Sequence, residues 1–217
     1  MSIHKAFSEI KDWLDINSPE GQEALARGDD SVAFFDAAAS PDYNPRATNQ
    51  KARETNCFAY AIGAVGETLN PGDIGGRGEG AITSAFNASG RFSENLYQAL
   101  QEGLEKDGLK PVEGPEDLFR EGHYLVACFC GSRDFHFMRL NANGKWSQVN
   151  VDSSNMVSRK DRRGEIITNP AEAFMGSDYE FRGFYHVPKG GVDTLRRRVH
   201  QASAVSSESR SICTPQP

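Results

Sequence analysis

One cysteine, Cys57, stands in the stretch Thr55-Asn56-Cys57-Phe58-Ala59-Tyr60-Ala61-Ile62-Gly63, directly after a polar pair and at the head of an apolar run. A thiol at the start of a helix lies beside unpaired backbone N–H groups and the positive end of the helix dipole. Both favour the thiolate, which is the nucleophilic form. Such a nucleophile also needs a group that takes its proton and later returns it to a leaving group, and histidine titrates in the right range for both steps. The chain has five histidines. His4 falls in an N-terminal run, His200 near the far end, His123 just ahead of a strand-like run and His186 near the end of another. His136 differs: it lies in Asp134-Phe135-His136-Phe137-Met138-Arg139-Leu140, near the start of a strand and just before a hairpin, and it is the expected base. The plainer readings stand beside these, with Cys57 a small buried hydrophobe and His136 a satisfied core histidine.

An imidazole base works best when a third polar group accepts its other N–H and fixes the tautomer. Gln148, Asn150 and Asp152 follow on the next strand-like run, and the hairpin between decides which of them can reach. A two-residue Asn143-Gly144 turn would set position 136 opposite 151 and turn all three away. A three-residue loop closed by Gly144 with a bulge would set 136 opposite 150 and turn Gln148, Asn150 and Asp152 to the side of His136. The second register is expected. For the oxyanion of an acyl-transfer reaction, the Cys57 backbone N–H is one natural donor, and the side chain of Asn56 or Gln50 is a candidate second.

The elements that must position these residues follow from periodicity. Ile3, Phe7, Ile10, Trp13 and Leu14 recur at helical spacing, predicting a first helix that Asn17-Ser18-Pro19 ends, and a second runs from Pro19 to about Arg27. Residues 29 to 50, with Pro41 and Pro45, read as a connector. From Cys57 to Val65 the residues are apolar almost all round, predicting a buried helix capped by Thr55 or Asn56, and a glycine-rich loop follows. That loop lacks a following Lys-Ser/Thr pair and so does not read as a phosphate cradle; a wall of a substrate cleft is the expectation. Leu96, Leu100 and Leu104 mark a further helix, with Ser93 at its start and Gly108 at its end. Beyond residue 110, His123–Cys130, Phe135–Leu140, Trp146–Asp152 and Tyr179–Val187 are short β-branched or aromatic runs that read as a mainly antiparallel sheet. The charged run Met156–Glu165 reads as a solvated loop, and the chain from about Gly190 as a flexible tail after a short basic helix.

A chain of 217 residues can bury one sizeable core, so one domain is expected. No window of about 20 apolar residues is present to cross a bilayer, which excludes a helical membrane span. The formal net charge of −6 argues against a nucleic-acid partner. The N-terminus lacks the apolar core of a secretory signal, which points to the cytoplasm or to export by a signal-peptide-independent route. The four cysteines, 57, 128, 130 and 213, lack CxxC spacing, so no disulfide framework, metal site or cofactor is expected. Cys128 and Cys130 alternate with Ala127 and Phe129 and should pack together into the core.

The order of these pieces resembles the papain-like cysteine peptidases: a buried helix opened by Cys57, a strand carrying His136, then a polar residue on the adjacent strand in Gly144-Lys145-Trp146-Ser147-Gln148-Val149-Asn150-Val151-Asp152. Within that superfamily the chain is most similar to the compact bacterial branch of cell-wall peptide hydrolases and effector domains, over about residues 50 to 188. Pro71-Gly72-Asp73 and the runs Ile166–Pro170 and Tyr179–Pro188 add to the likeness. The resemblance implies an α+β papain-like catalytic core at 51–188, preceded by an N-terminal helical extension and connector at 1–50 and followed by a tail at 189–217. It implies that Cys57 attacks a carbonyl and His136 shuttles the proton. The branch's spacing favours Gln148 as the group that orients the imidazole, with Asp152 next. The implied partners are a peptide or protein substrate and a cognate inhibitor or secretion partner. Glutamine deamidation, amine transfer and a catalytically silent binding module on the same core remain alternatives, as does a structural phage or secretion-associated protein.

Overall fold

The central sheet has six strands in the order β3-β8-β4-β5-β6-β7, all neighbours antiparallel. They are β3 (Lys110–Pro111), β4 (His123–Cys130), β5 (Phe135–Leu140), β6 (Trp146–Asn150), β7 (Met156–Ser158) and β8 (Glu180–Pro188). The structure, a computed structural model, describes residues 10–45, 54–76, 82, 94–131, 134–150 and 156–211. The mixed helix and strand content with a mainly antiparallel sheet agrees with the sequence expectation. The middle strands are apolar on both faces, so each face needs a cover.

One face is covered by helices. The helix α2 (Cys57–Ala61), the amphipathic α3 (Glu94–Lys106) and the first turns of α4 (Gly191–Ser211) place Phe58, Leu100, Leu104 and Leu195 against Val126, Cys128, Phe137 and Val187. Cys128 and Cys130 sit fully buried in this layer, as their alternation in β4 predicts. The helix α4 runs longer than the short basic helix expected there: Val192 and Leu195 bury its start, and Arg196 pairs with Glu67.

The other face is covered by the N-terminal segment. Residues Asp12–Asp15 form a strand, β1, parallel to β2 (Val32–Phe35), where periodicity predicted a helix and a connector. The helix α1 (Pro19–Arg27) between them is as predicted, capped by Ser18 and ended by Gly28 in the left-handed conformation. The reason for the strand is tertiary. Trp13 packs edge-on against Trp146 and Phe184, with ring centroids 5.3 and 5.8 Å away, and Phe35 joins the same layer as Leu125, Phe129 and Met138. Burying two large rings against a sheet overrides a helical spacing made of few residues.

The β5–β6 hairpin has a three-residue loop. Asn141 N–H donates to Lys145 O and Gly144 N–H to Asn141 O, and Gly144 adopts φ 69°. The resulting register pairs Arg139 with Ser147 and Leu140 with Trp146, which is the bulged alternative expected from sequence. A Cβ on Gly144 would meet the Phe35 ring at 3.2 Å and the Trp13 carbonyl at 3.3 Å, whereas one on Gly122, at the same φ of 69°, would meet nothing. Gly122→Ala should therefore cost only the left-handed backbone term of about 1–2 kcal/mol, and Gly144→Ala should cost about 1 kcal/mol more by crowding the packed N-terminal cover. Urea unfolding of both variants measures the difference.

Candidate functional site

The helix α2 is short, and its placement depends on side-chain hydrogen bonds at both ends. At its start Asn56 caps Ala59 N–H with Oδ1 at 2.9 Å, while its Nδ2 donates to Leu69 O at 2.7 Å. At its end the buried guanidinium of Arg139 lies 4.0 Å over the Tyr60 ring and donates to the carbonyls of Tyr60 and Asp42 and to Asn141 Oδ1. Tyr60 Oη is bonded to Ser147 Oγ at 2.6 Å, which ties the helix to both strands of the hairpin.

Cys57 opens this helix as expected, 5% exposed. Its Sγ donates to Phe135 O at 3.8 Å and lies against the N–H groups of Phe137, Phe58 and Cys57 itself. The ladder explains why a sulfur fits there. The β5–β6 ladder covers Arg139–Ser147 and Leu140–Trp146, while along its other edge β6 pairs with β7, from Gln148–Ser158 to Asn150–Met156. Asn141 and Lys145 bond across the hairpin, so the odd-numbered residues of β5 direct their main-chain groups towards β6. Where β6 leaves, Phe135 O and Phe137 N–H are released, and the thiol occupies that edge. It therefore touches the main chain on both sides of His136.

The helix start does not make Cys57 a standing thiolate. Burial, with the charge of Asp134 added, pushes its pKa up to about 12, and the three backbone N–H groups around the sulfur only partly oppose this. Cys128 and Cys130 are raised by burial in the same way. At neutral pH the resting Cys57 is a thiol, which corrects the expectation drawn from the helix dipole.

His136 is 7% exposed and leaves β5 on the side of Phe129, its cross-strand neighbour, whereas Phe135 and Phe137 point into the helical layer with Cys57. Its Nε2 is bonded to Gln148 Oε1 at 2.5 Å, and Gln148 Nε2 donates to Lys160 O at 2.6 Å. The carbonyl of Lys160 only accepts, so the amide of Gln148 must turn its NH₂ to Lys160 and its oxygen to His136. Neutral His136 then carries its proton on Nε2 and its lone pair on Nδ1, the tautomer a base requires. Among the orienting candidates, Gln148 thus makes the contact; Asp152 lies outside the described residues, as does Gln50, and Asn150 is described only in its backbone. Asn56 serves as helix cap and brace of the Leu69 loop, while the N–H groups that face the sulfur belong to Cys57 and Phe58. His186 is buried and bonded through Nε2 to Asp117 O at 2.6 Å, remote from this cluster in the sheet. Sequence reasoning passed over Lys160, because a main-chain carbonyl leaves no residue-type signal.

The loop that holds Asn56 is itself anchored by Asp107, a fully buried carboxyl that accepts from Gly72 N–H at 2.7 Å and Gly75 N–H at 2.8 Å. Among the described residues no group of three or more His, Cys, Asp or Glu is arranged to hold a metal ion. Likewise no helix among them is long and apolar enough to cross a membrane.

No protein-family model matches the chain, and no solved structure does. A protein described as insoluble matrix shell protein 1, from Ruditapes philippinarum, is 28% identical over 143 residues, which is 65% of this chain and 85% of the relative.

Burial raises the pKa of Asp107 to about 6 from an ordinary value of 3.8. The folded state then binds more protons than the unfolded one between those values, so stability should fall as pH rises through that window. The loss is at most on the order of 3 kcal/mol. Denaturant unfolding between pH 4 and pH 7 should show this slope in the native chain, and Asp107→Asn, which cannot ionise, should flatten it.

Proposed function

We propose that the protein is a cysteine-nucleophile acyl-transfer enzyme, with Cys57 as nucleophile, His136 as base and Gln148 as the group that orients it. The observation that carries this reading is the pairing of a thiol lodged against the main chain on either side of His136 with an imidazole whose Nε2 is held by Gln148. Because the thiol rests protonated, the reading requires Sγ and His136 Nδ1 to meet across the released edge of β5 as substrate enters.

His136 Nδ1 would take the Sγ proton as sulfur attacks the carbonyl carbon of an amide. The oxyanion would be met by the N–H groups of Cys57 and Phe58, which already face the sulfur. Collapse breaks the C–N bond, the imidazolium returns its proton to the departing amine, and a thioester remains on Cys57. Water then attacks the thioester, losing its proton to His136, and the acid and the thiol are released. A peptide or isopeptide bond, of a bacterial cell-wall peptide or a target-cell protein, is the proposed substrate class, on the papain-like resemblance. Glutamine deamidation or transfer to an amine needs only a different donor or acceptor.

A second reading is a silent binding or matrix module on the same fold. It is favoured by the burial of Cys57 and by the likeness to a protein named for the insoluble shell matrix.

Reaction with p-nitrophenyl acetate separates the two, using protein in which Cys128, Cys130 and Cys213 are alanine. An enzyme should release a stoichiometric burst of p-nitrophenolate and gain one acetyl group in mass. The burst should vanish in Cys57→Ala and slow about 100-fold or more in His136→Ala. A thiol acylated at the same slow rate with and without His136 would favour the silent module.

A further inference from the structure

The run Met156–Glu165, read from sequence as a solvated loop, supplies the carbonyl that sets Gln148, and the structure gives that carbonyl an unusually well-tied support. Lys160 forms a bridge with Ile166 across a tight turn in which Asp161 N–H donates to Glu165 O and Gly164 N–H to Asp161 O. Lys160 N–H donates to Ser158 Oγ at 3.0 Å, and Ser158 is the cross-strand partner of Gln148. At the centre of the turn the Asp161 carboxylate, 8% exposed, accepts three main-chain hydrogen bonds. Oδ1 takes Arg163 N–H at 2.9 Å and Glu165 N–H at 3.0 Å, and Oδ2 takes Phe174 N–H at 3.0 Å from a separate segment. Arg162 N–H, in turn, donates to Phe174 O at 3.0 Å. One carboxylate thus stitches the turn to itself and to the segment that follows, immediately next to the carbonyl on Gln148.

We propose that Asp161 is a positioning residue for His136. By bracing the turn it holds Lys160 O where that oxygen orders the Gln148 amide, and the ordered amide selects the Nε2–H tautomer of the imidazole. This inference rests on His136 being the base in so far as the tautomer matters to chemistry. The chain of contacts can nevertheless be tested without any turnover. Asp161 touches no reacting atom; it acts through Lys160, Gln148 and His136 in sequence. A charged side chain in a solvated loop would have no such route.

The test is long-range ¹H–¹⁵N correlation of the His136 ring in the full chain, at a pH of about 8.5 where imidazole is neutral. It is read together with the exchange of the Gln148 side-chain amide protons. In the native chain His136 should be in the Nε2–H form, and one Gln148 amide proton should exchange at least about tenfold more slowly than an exposed amide. Asp161→Ala should lose that protection and lower the ratio of Nε2–H to Nδ1–H severalfold. Asp161→Asn keeps an oxygen for Arg163 and Glu165 but turns an NH₂ towards Phe174 N–H and so loses that hydrogen bond; it should lower the ratio measurably, though less than Asp161→Ala. It also serves as the readout if Asp161→Ala does not fold.

An Nδ1–H imidazole or an unprotected Gln148 amide in the native chain would overturn the proposal, as would a folded Asp161 variant with an unchanged tautomer. If the tautomer shifts as expected while no variant, nor the native chain, gives a His136-dependent acyl burst, the positioning holds and the enzyme reading falls. A normal burst with an unmoved tautomer gives the converse.

Discussion

The register of the β5–β6 hairpin is the constraint on which the site depends. Side chains on a strand alternate, so a slip of one residue would carry Gln148 to the face opposite His136 and leave the imidazole without its partner. Gly144 fixes the register by taking a left-handed conformation that closes a three-residue loop, and its missing Cβ lets Trp13 and Phe35 close over the turn. The same hairpin sends Arg139 and Ser147 to the other face, where they hold the end of the helix that Cys57 begins. One turn residue thus governs the imidazole's partner on one face and the nucleophile candidate's helix on the other.

Two effects compete at Cys57, and burial is the larger. A five-residue helix offers few aligned dipoles, whereas taking a thiolate out of water beside Asp134 is costly, so the proton stays on sulfur. On the proposed reading this makes the histidine indispensable: a thiol that does not ionise by itself depends on a base whose tautomer is already chosen. The departure of β6 from β5 is what gives that thiol a place, since the main-chain groups flanking His136 are no longer engaged by the ladder.

Much of this was legible in the sequence for identifiable reasons. The strands from His123 onward are dense in β-branched and aromatic residues, the Asn143-Gly144 pair marks the turn, and the spacing from His136 to Gln148 follows from the loop length. The N-terminal strand was not legible, because Ile10, Trp13 and Leu14 fit a helical period while the rings they carry are recruited by the sheet. The helix from Gly191 was expected only as a short basic one, because Val192 and Leu195 alone anchor its start, too few for periodicity to show its length. The turn at Asp161 was invisible for a different reason: its importance lies in main-chain groups, and a carboxylate that braces a turn looks in sequence like any solvated charge.

The central claim, that a buried thiol is activated by His136, is tested most directly by the pH dependence of Cys57 alkylation with iodoacetamide. The measurement compares the native chain with His136→Ala, the other cysteines being replaced by alanine. A histidine-activated thiol should react in the native chain already at neutral pH, far below the raised ionisation of the buried sulfur, and this reactivity should be lost in the variant. A rate that rises only at high pH, with the ionisation of the thiol and identically in both proteins, would contradict it.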